Sequence, residues 1–452
     1  MSSPKSPSEG SPGERGRRAT DRGTARDRGR VVAWPRHGLP AVDPTAASQA
    51  VSDGFRYFLG RLAPALVTGV ADVDPSLVVT ATVIGAAYGF SLLWAVVLCA
   101  PILVSVFAVA GRIGHETHKG LVDLLRSNYG KLAAALCALT IILINLAMII
   151  ADLMAVTDGM SMLLGQRRGM FIVIVAFAVW YILIFRDYKR INHALVWFCM
   201  PVFAYVASAV LARPPAGPVL LNTFVPRVLP DPQFLMAMVG LFGSLLTPYV
   251  LVWQTSSRRE EALQGDRLHG AESHVGGWVT VVLAYCVIVS SATVLRVGHP
   301  VEMNTRQAAE ALAPVIGQLG PLLFAIGIIG AGMVALPVLV ASMCYSVAEA
   351  FEWKYGLSEH PWEAKRFYVL ISAAMFIGAM ANLIHIKPVK ALYWSQILAG
   401  VLTVPILIFI LVVSNDRRIM RTTNSRPQNF WIGAGIGALV TAGLLMFWWR
   451  IH

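Results

Sequence analysis

Three short stretches of this chain carry groups able to hold a cation. ADVDPSLVV, residues 71–79, places Asp72, Asp74 and Pro75 inside an otherwise apolar run. GSLLTPYVL, residues 243–251, carries Ser244, Thr247 and Pro248 in similar surroundings. WSQILAG, residues 394–400, buries Gln396 in a third. Proline removes a backbone donor and clashes with the preceding turn, so Pro75 and Pro248 mark helix breaks that free carbonyls. Carboxylate, hydroxyl, carboxamide and carbonyl oxygens form a hard set suited to magnesium- or manganese-like cations. In a bilayer, freed backbone groups persist only where protein or a watery cavity covers them, and an ionisable group at that depth is by default functional. A kinked helix with a paired Asp is the plainer alternative for Asp74, and an interhelical hydrogen bond is the plainer one for Gln396. On a continuous helix Asp72 and Asp74 would face nearly opposite ways, a limit that a break relaxes. A fourth stretch, ILINLAMIIADLMAV, sets Asn145 and Asp152 seven apart, two turns along one helical face. Asp152 is a second intramembrane acid, fit to carry a proton or to pair with a buried partner.

The elements that must position these groups are membrane helices. Of the 452 residues, 56% are hydrophobic and 14% charged, against roughly 25% charged in soluble domains. Charge-free windows such as 132–151, 232–257 and 391–415 reach the length of a membrane span. Eleven spans are expected, near 61–88, 91–111, 132–157, 169–185, 191–212, 234–256, 275–296, 317–347, 367–384, 391–414 and 429–449. The window 311–348 is long for one helix and short for two, so span eight has an ill-defined start between Pro314 and Pro321. The two breaks fall in spans one and six, five spans apart. Interrupted helices at matching places in two halves mark inverted-repeat transporters, whose sites lie where the breaks meet. The expected organisation is a basic disordered cytoplasmic tail (1–53), a first repeat (54–213), a second repeat (214–415) and a linker with span eleven (416–452).

Charge placement sets the orientation. With the N-terminus in the cytoplasm, inner loops carry 17 Lys and Arg, and the outer loops with the C-terminal tip carry 9. The net charge of +12 therefore reflects topology and contact with anionic lipid, and no nucleic acid is implied. Enzyme readings find little support. His115 and His118 flank Glu116, yet nothing downstream completes a zinc-binding His-Glu-x-x-His motif, and no Walker-type phosphate loop is present. The five cysteines (Cys99, Cys137, Cys199, Cys286 and Cys344) all fall in expected spans without metal-ligand spacing. Glu349 and Glu352 close span eight beside Trp353, as interfacial anchors or as members of a gating network with Lys365 and Arg366.

Several stretches together resemble the Nramp family of divalent metal transporters over roughly residues 60–450. DVDPSLVVTATVIGAAYGF is similar to the first-span Asp-Pro-Gly-Asn motif and its following Gly-Ala segment. GRIGHETHKGLVDLLRSNYG resembles the loop after span two, with its Lys-Gly-Leu. IIADLMAV resembles the span-three segment holding an Asp. LLTPYVLVWQTS occupies the sixth-span Met-Pro-His slot, and WSQILAGVLTVP resembles the tenth-span Ser-Gln with its later Pro. The resemblance implies an all-α integral membrane protein of about eleven helices, with a LeuT-like five-plus-five inverted repeat and broken helices one and six. It implies a metal site of Asp74, Thr247, Gln396 and the carbonyls of Ala71 and Ser244, with Asp152 on a proton path. Asp72, beside the break, is a further candidate proton-carrying or charge-compensating group on the residues themselves. The metal is then substrate, and no cofactor is implied.

The departures from the family pattern are specific. Its Asn ligand is Leu77 here, its Met is Thr247, its sixth-span His is Tyr249 and its second span-three acid is Ala155. The resemblance thus implies a divergent bacterial branch in the inner membrane, short of the thioether that favours transition metals. The expected function is secondary active transport of divalent cations of the manganese, iron or magnesium class by alternating access, with proton coupling open. The alternatives are a LeuT-fold symporter of a small organic solute such as an amino acid, and a metal-binding membrane protein that transports nothing. Asp74 at the break would repel a carboxylate solute.

Overall fold

The structure is a computed structural model, and it describes residues 73–185, 200–229, 231–263, 270–295, 303–357, 359–382 and 387–451. The tail 1–53, Ala71 and Asp72 lie outside the described residues. Helix α1, Pro75–Tyr88, begins at the break anticipated inside span one. Asp74 is its N-cap, with the carboxylate accepting the Leu77 N–H at 2.6 Å, and Pro75 at the first helical position sacrifices a donor that the helix would leave unused. Helices α2 (Leu93–Thr117), α3 (Leu121–Tyr129), α4 (Lys131–Leu164), α5 (Arg168–Phe185), α6 (Ala204–Leu211) and α7 (Ala216–Phe224) follow. Helix α8, Pro232–Leu245, starts in the same manner as α1. Its N-cap Asp231 accepts from Gln233 and Phe234, and Pro232 comes next. Two residues, Leu246 and Thr247, separate it from α9, Pro248–Leu263, so the second break also lies where the proline placed it. The chain continues through α10 (Gly270–Val294), α11 (Gly320–Ala350), α12 (Lys365–Ala381), α13 (Pro388–Asn415) and α14 (Arg426–Ile451).

Among the described residues, eight helices are long and apolar enough to cross a membrane, the α8–α9 pair taken as one. The shorter apolar helices Pro75–Tyr88 and Met200–Leu211 fall where spans one and five were expected, and α12 falls where span nine was expected. Burial sorts centre from rim. The most apolar window of the α8–α9 span is 94% buried, that of α14 only 22%. Rim helices turn apolar stripes outward, such as Leu132, Leu136, Leu139 and Leu143 on α4, a helical face solvated by lipid. Inside, α4 lies along α11, α8 along α13, α9 along α2, and α1 against α10 and α13. Both breaks therefore sit at the centre.

Span eight starts inside the interval left for it between Pro314 and Pro321. Helix α11 starts at Gly320, and residues 303–319 form a separate lead-in of two short helices, Thr305–Ala309 and Ala313–Ile316, linked by 3₁₀ turns. The first carries a capping box between Asn304 and Gln307. Only its part from Ala311 on falls in the charge-free window, and Ala308, Ala309, Ala311 and Leu312 are buried in the bundle. Ser208 of α6 and Ser290 of α10 both reach the Ala311 carbonyl, at 2.7 and 2.6 Å.

Candidate functional site

Asp74 joins the two breaks. It is fully buried, and while one carboxylate oxygen caps α1, the other accepts a hydrogen bond from the hydroxyl of Tyr249, the second residue of α9, at 3.3 Å. Ser76, the second residue of α1, donates to Asp152 of α4 at 2.6 Å. The other Asp152 oxygen is buried without a partner, and the two carboxylates are close enough for their charges to interact. Asn145 shares a helix face with Asp152 yet turns to α11, donating to the Leu339 carbonyl and the Ser342 hydroxyl.

The second break supplies carbonyls. The Ser244 hydroxyl donates to the Leu241 carbonyl of its own helix at 2.9 Å, which leaves the backbone oxygen as its available group. Ser244 lies in the last turn of α8, where carbonyls lack intrahelical donors and form the negative end of the helix dipole. Thr247 is fully buried in the gap between α8 and α9. Against this end of α8 lies Gln396, fully buried, with neither amide atom hydrogen-bonded. The interhelical bond considered for Gln396 is thus not made. A buried unsatisfied amide group costs about 1–3 kcal/mol, so this one suits a ligand or water within the site.

The approach of α13 to α8 is set by glycine. A Cβ on Gly243 would strike the Gln396 carbonyl and lie 2.8 Å from Gly400 Cα, backbone atoms that cannot rotate away. Gly243→Ala must therefore part the two helices and draw Gln396 from the break. The expected result is a loss of about 1–3 kcal/mol of stability together with weakened cation binding, read by thermal melts with and without manganese.

Asp74 with Tyr249 and Ser76 with Asp152 form two bonded pairs at the start of α1, and Ser244 and Thr247 occupy the facing break. Ser76 and the Tyr249 hydroxyl were missed in the sequence. No local signal ties residue 76 to 152, and Tyr249 registered only as a missing histidine. Thr80, whose buried hydroxyl has no partner, was missed too; it lies on α1 against Gly240 of α8. Among the described residues no three His, Cys, Asp or Glu side chains come together. Among the described residues, Asp74 is thus the carboxylate at the breaks, amid neutral oxygens.

Comparison with known proteins agrees with this layout. The family model "Natural resistance-associated macrophage protein-like", abbreviated Nramp, matches residues 65–449. The divalent metal cation transporter MntH of Xylella fastidiosa is 28% identical over 317 residues, 65% of this chain and 66% of that protein, just under two thirds of its length. MntH of Aeromonas hydrophila is 23% identical over 394 residues, 85% of this chain and 94% of that protein. Among solved structures, the Eremococcus coleocola manganese transporter superposes with a TM-score of 0.67 at 16% identity, covering 86% of each chain. MhsT, solved with L-phenylalanine, superposes with a TM-score of 0.57 at 14% identity, covering 85% of this chain and 98% of that one. At these identities the two structures speak for the fold.

Proposed function

Because the chain belongs to the Nramp family, we propose that it is a secondary transporter that moves divalent cations across a bacterial inner membrane by alternating access. One observation carries the reading: Asp74, fully buried, sits where two helix breaks meet, with the unpartnered Gln396 amide at the end of the facing helix. In this reading Asp74 neutralises the cation. The carbonyls of Ser244 and Ala71, the Thr247 hydroxyl and the Gln396 amide oxygen complete a hard oxygen shell. The α8 C-terminus turns its negative end to the same point. An organic solute with a carboxylate would meet Asp74 charge against charge, so the cation is favoured over an amino acid. Access alternates as α1 and the α8–α9 pair rock against the α4–α11 scaffold, with the halves 54–213 and 214–415 as the two repeats. The N-terminus is cytoplasmic, and anionic lipid faces the basic inner loops.

With neither Met nor Asn at the breaks, the site is expected to accept magnesium alongside manganese and iron. Asp152, held by Ser76, and Asp72 are the proton-carrying or charge-compensating candidates. With Tyr249 and Ala155 in place of titratable groups, the coupling is expected to be loose: uptake into proteoliposomes should proceed without an inward proton gradient. Strict dependence on that gradient would contradict it. The function itself is tested by ligand-induced stabilisation. A cation that binds the folded chain at a hundredfold excess over Kd adds about 2.7 kcal/mol, so manganese and magnesium should raise Tm of the wild type and not of Asp74→Ala. No shift with any divalent cation would count against the reading.

A further inference from the structure

Helix α9, the arm that leads away from the second break, is tied to the rest of the bundle, and one carboxylate does much of the tying. Glu349, in the last turn of α11, is buried, although its position beside Trp353 suits an exposed anchor. Its two oxygens have separate tasks. One accepts the backbone N–H groups of Val122 and Asp123, at 3.0 and 3.4 Å. These are the second and third residues of α3, the groups that an N-cap side chain normally satisfies. The N-cap of α3 is Gly120, which has no side chain, and a Cβ there would collide with the Glu349 carboxylate. Helix α3 is therefore capped in trans, by a residue 227 positions away. The other Glu349 oxygen accepts the Ser256 hydroxyl of α9 at 2.9 Å. One turn on, Arg259 adds a weaker tie: its Nε donates to the His118 carbonyl at 3.2 Å, and its guanidinium lies 4.7 Å from the centre of the Tyr355 ring.

The two bonds differ in kind. The cap joins α11 to the α2–α4 connection, all within the scaffold. The Ser256 bond joins that scaffold to α9, the arm of a broken helix. Resting on the alternating-access reading above, we propose that Glu349 is the latch of the inner gate: its hold on α3 is permanent, and its bond to Ser256 is made when the inner end is closed and broken when α9 swings away. Gln254 lies on α9, seven residues or about two helical turns beyond Thr247 in the break, so that swing exposes the strip running from the site to the inner end. Gln254 is buried in the closed form, and neither of its amide atoms has a partner.

Ser256→Ala separates gating from folding, since it leaves the α3 cap intact. Two reporters in a chain with its five native cysteines replaced by alanine read the two ends: Gln254→Cys below the site, and Ala308→Cys in the buried lead-in at the opposite end. Each is labelled in native membranes with a membrane-permeant maleimide. Adding Ser256→Ala should raise the Gln254→Cys rate about tenfold, the population shift that follows loss of one charge-assisted hydrogen bond. The Ala308→Cys rate should fall. Glu349→Gln, which also weakens the cap, should act in the same direction. Unchanged rates at both reporters would overturn the latch, and a rise at both would show a loosened fold instead. The readout needs no transported cation, so failure here stands apart from failure of the transport reading.

Discussion

Asp74→Ala is expected to abolish divalent cation binding, with a loss larger than the roughly 10–100-fold that follows removal of an outer-shell partner of a metal ligand. Asp74 is the carboxylate bonded to both helix breaks, so its removal takes the charge from the site and leaves neutral oxygens behind. Alanine also deletes the N-cap of α1, at about 1 kcal/mol. Asp74→Asn separates the two effects. Asparagine caps a helix as well as aspartate does, and with its oxygen on the Leu77 N–H its NH2 group can donate to the Tyr249 oxygen instead of accepting from it, so this variant should fold like the wild type and still fail to bind. Calorimetric titration with manganese, beside thermal melts of all three proteins, checks the prediction. Wild-type affinity in Asp74→Asn would remove the carboxylate from the site.

The double variant Leu77→Asn, Thr247→Met should convert a permissive site into one that prefers manganese. Both side chains are buried beside the breaks. Only the backbone N–H of Leu77 serves the Asp74 cap, so an asparagine side chain there adds an amide ligand without disturbing it. A thioether at 247 adds a soft donor that magnesium does not use. Magnesium competition against manganese uptake should weaken by about tenfold or more, a difference near 1.4 kcal/mol. Methionine is larger than threonine, and overpacking of about 1–3 kcal/mol is expected alongside, visible as a lower Tm. Unchanged magnesium competition would show that these two positions do not set selectivity.

Much of the site was legible because prolines and isolated polar residues stand out in apolar sequence. Asp74-Pro75 and Thr247-Pro248 announced the breaks, and both helices begin at those prolines. Gln396 was visible as a lone amide, though only the structure shows that it lacks a helix partner. Other features rest on pairings without local trace. The Ser76–Asp152 bond spans 76 residues and the Glu349 cap 227. The start of span eight was ill-defined because residues 311–319, the end of the lead-in, are as free of charge as the helix that follows.

The most direct test of the account is the initial rate of manganese uptake into proteoliposomes holding the wild-type chain, with magnesium, calcium and phenylalanine as competitors. The account predicts saturable manganese uptake, inhibited by magnesium and indifferent to phenylalanine. Absence of uptake of any divalent cation by protein shown to be folded, or inhibition by phenylalanine instead of magnesium, would contradict it.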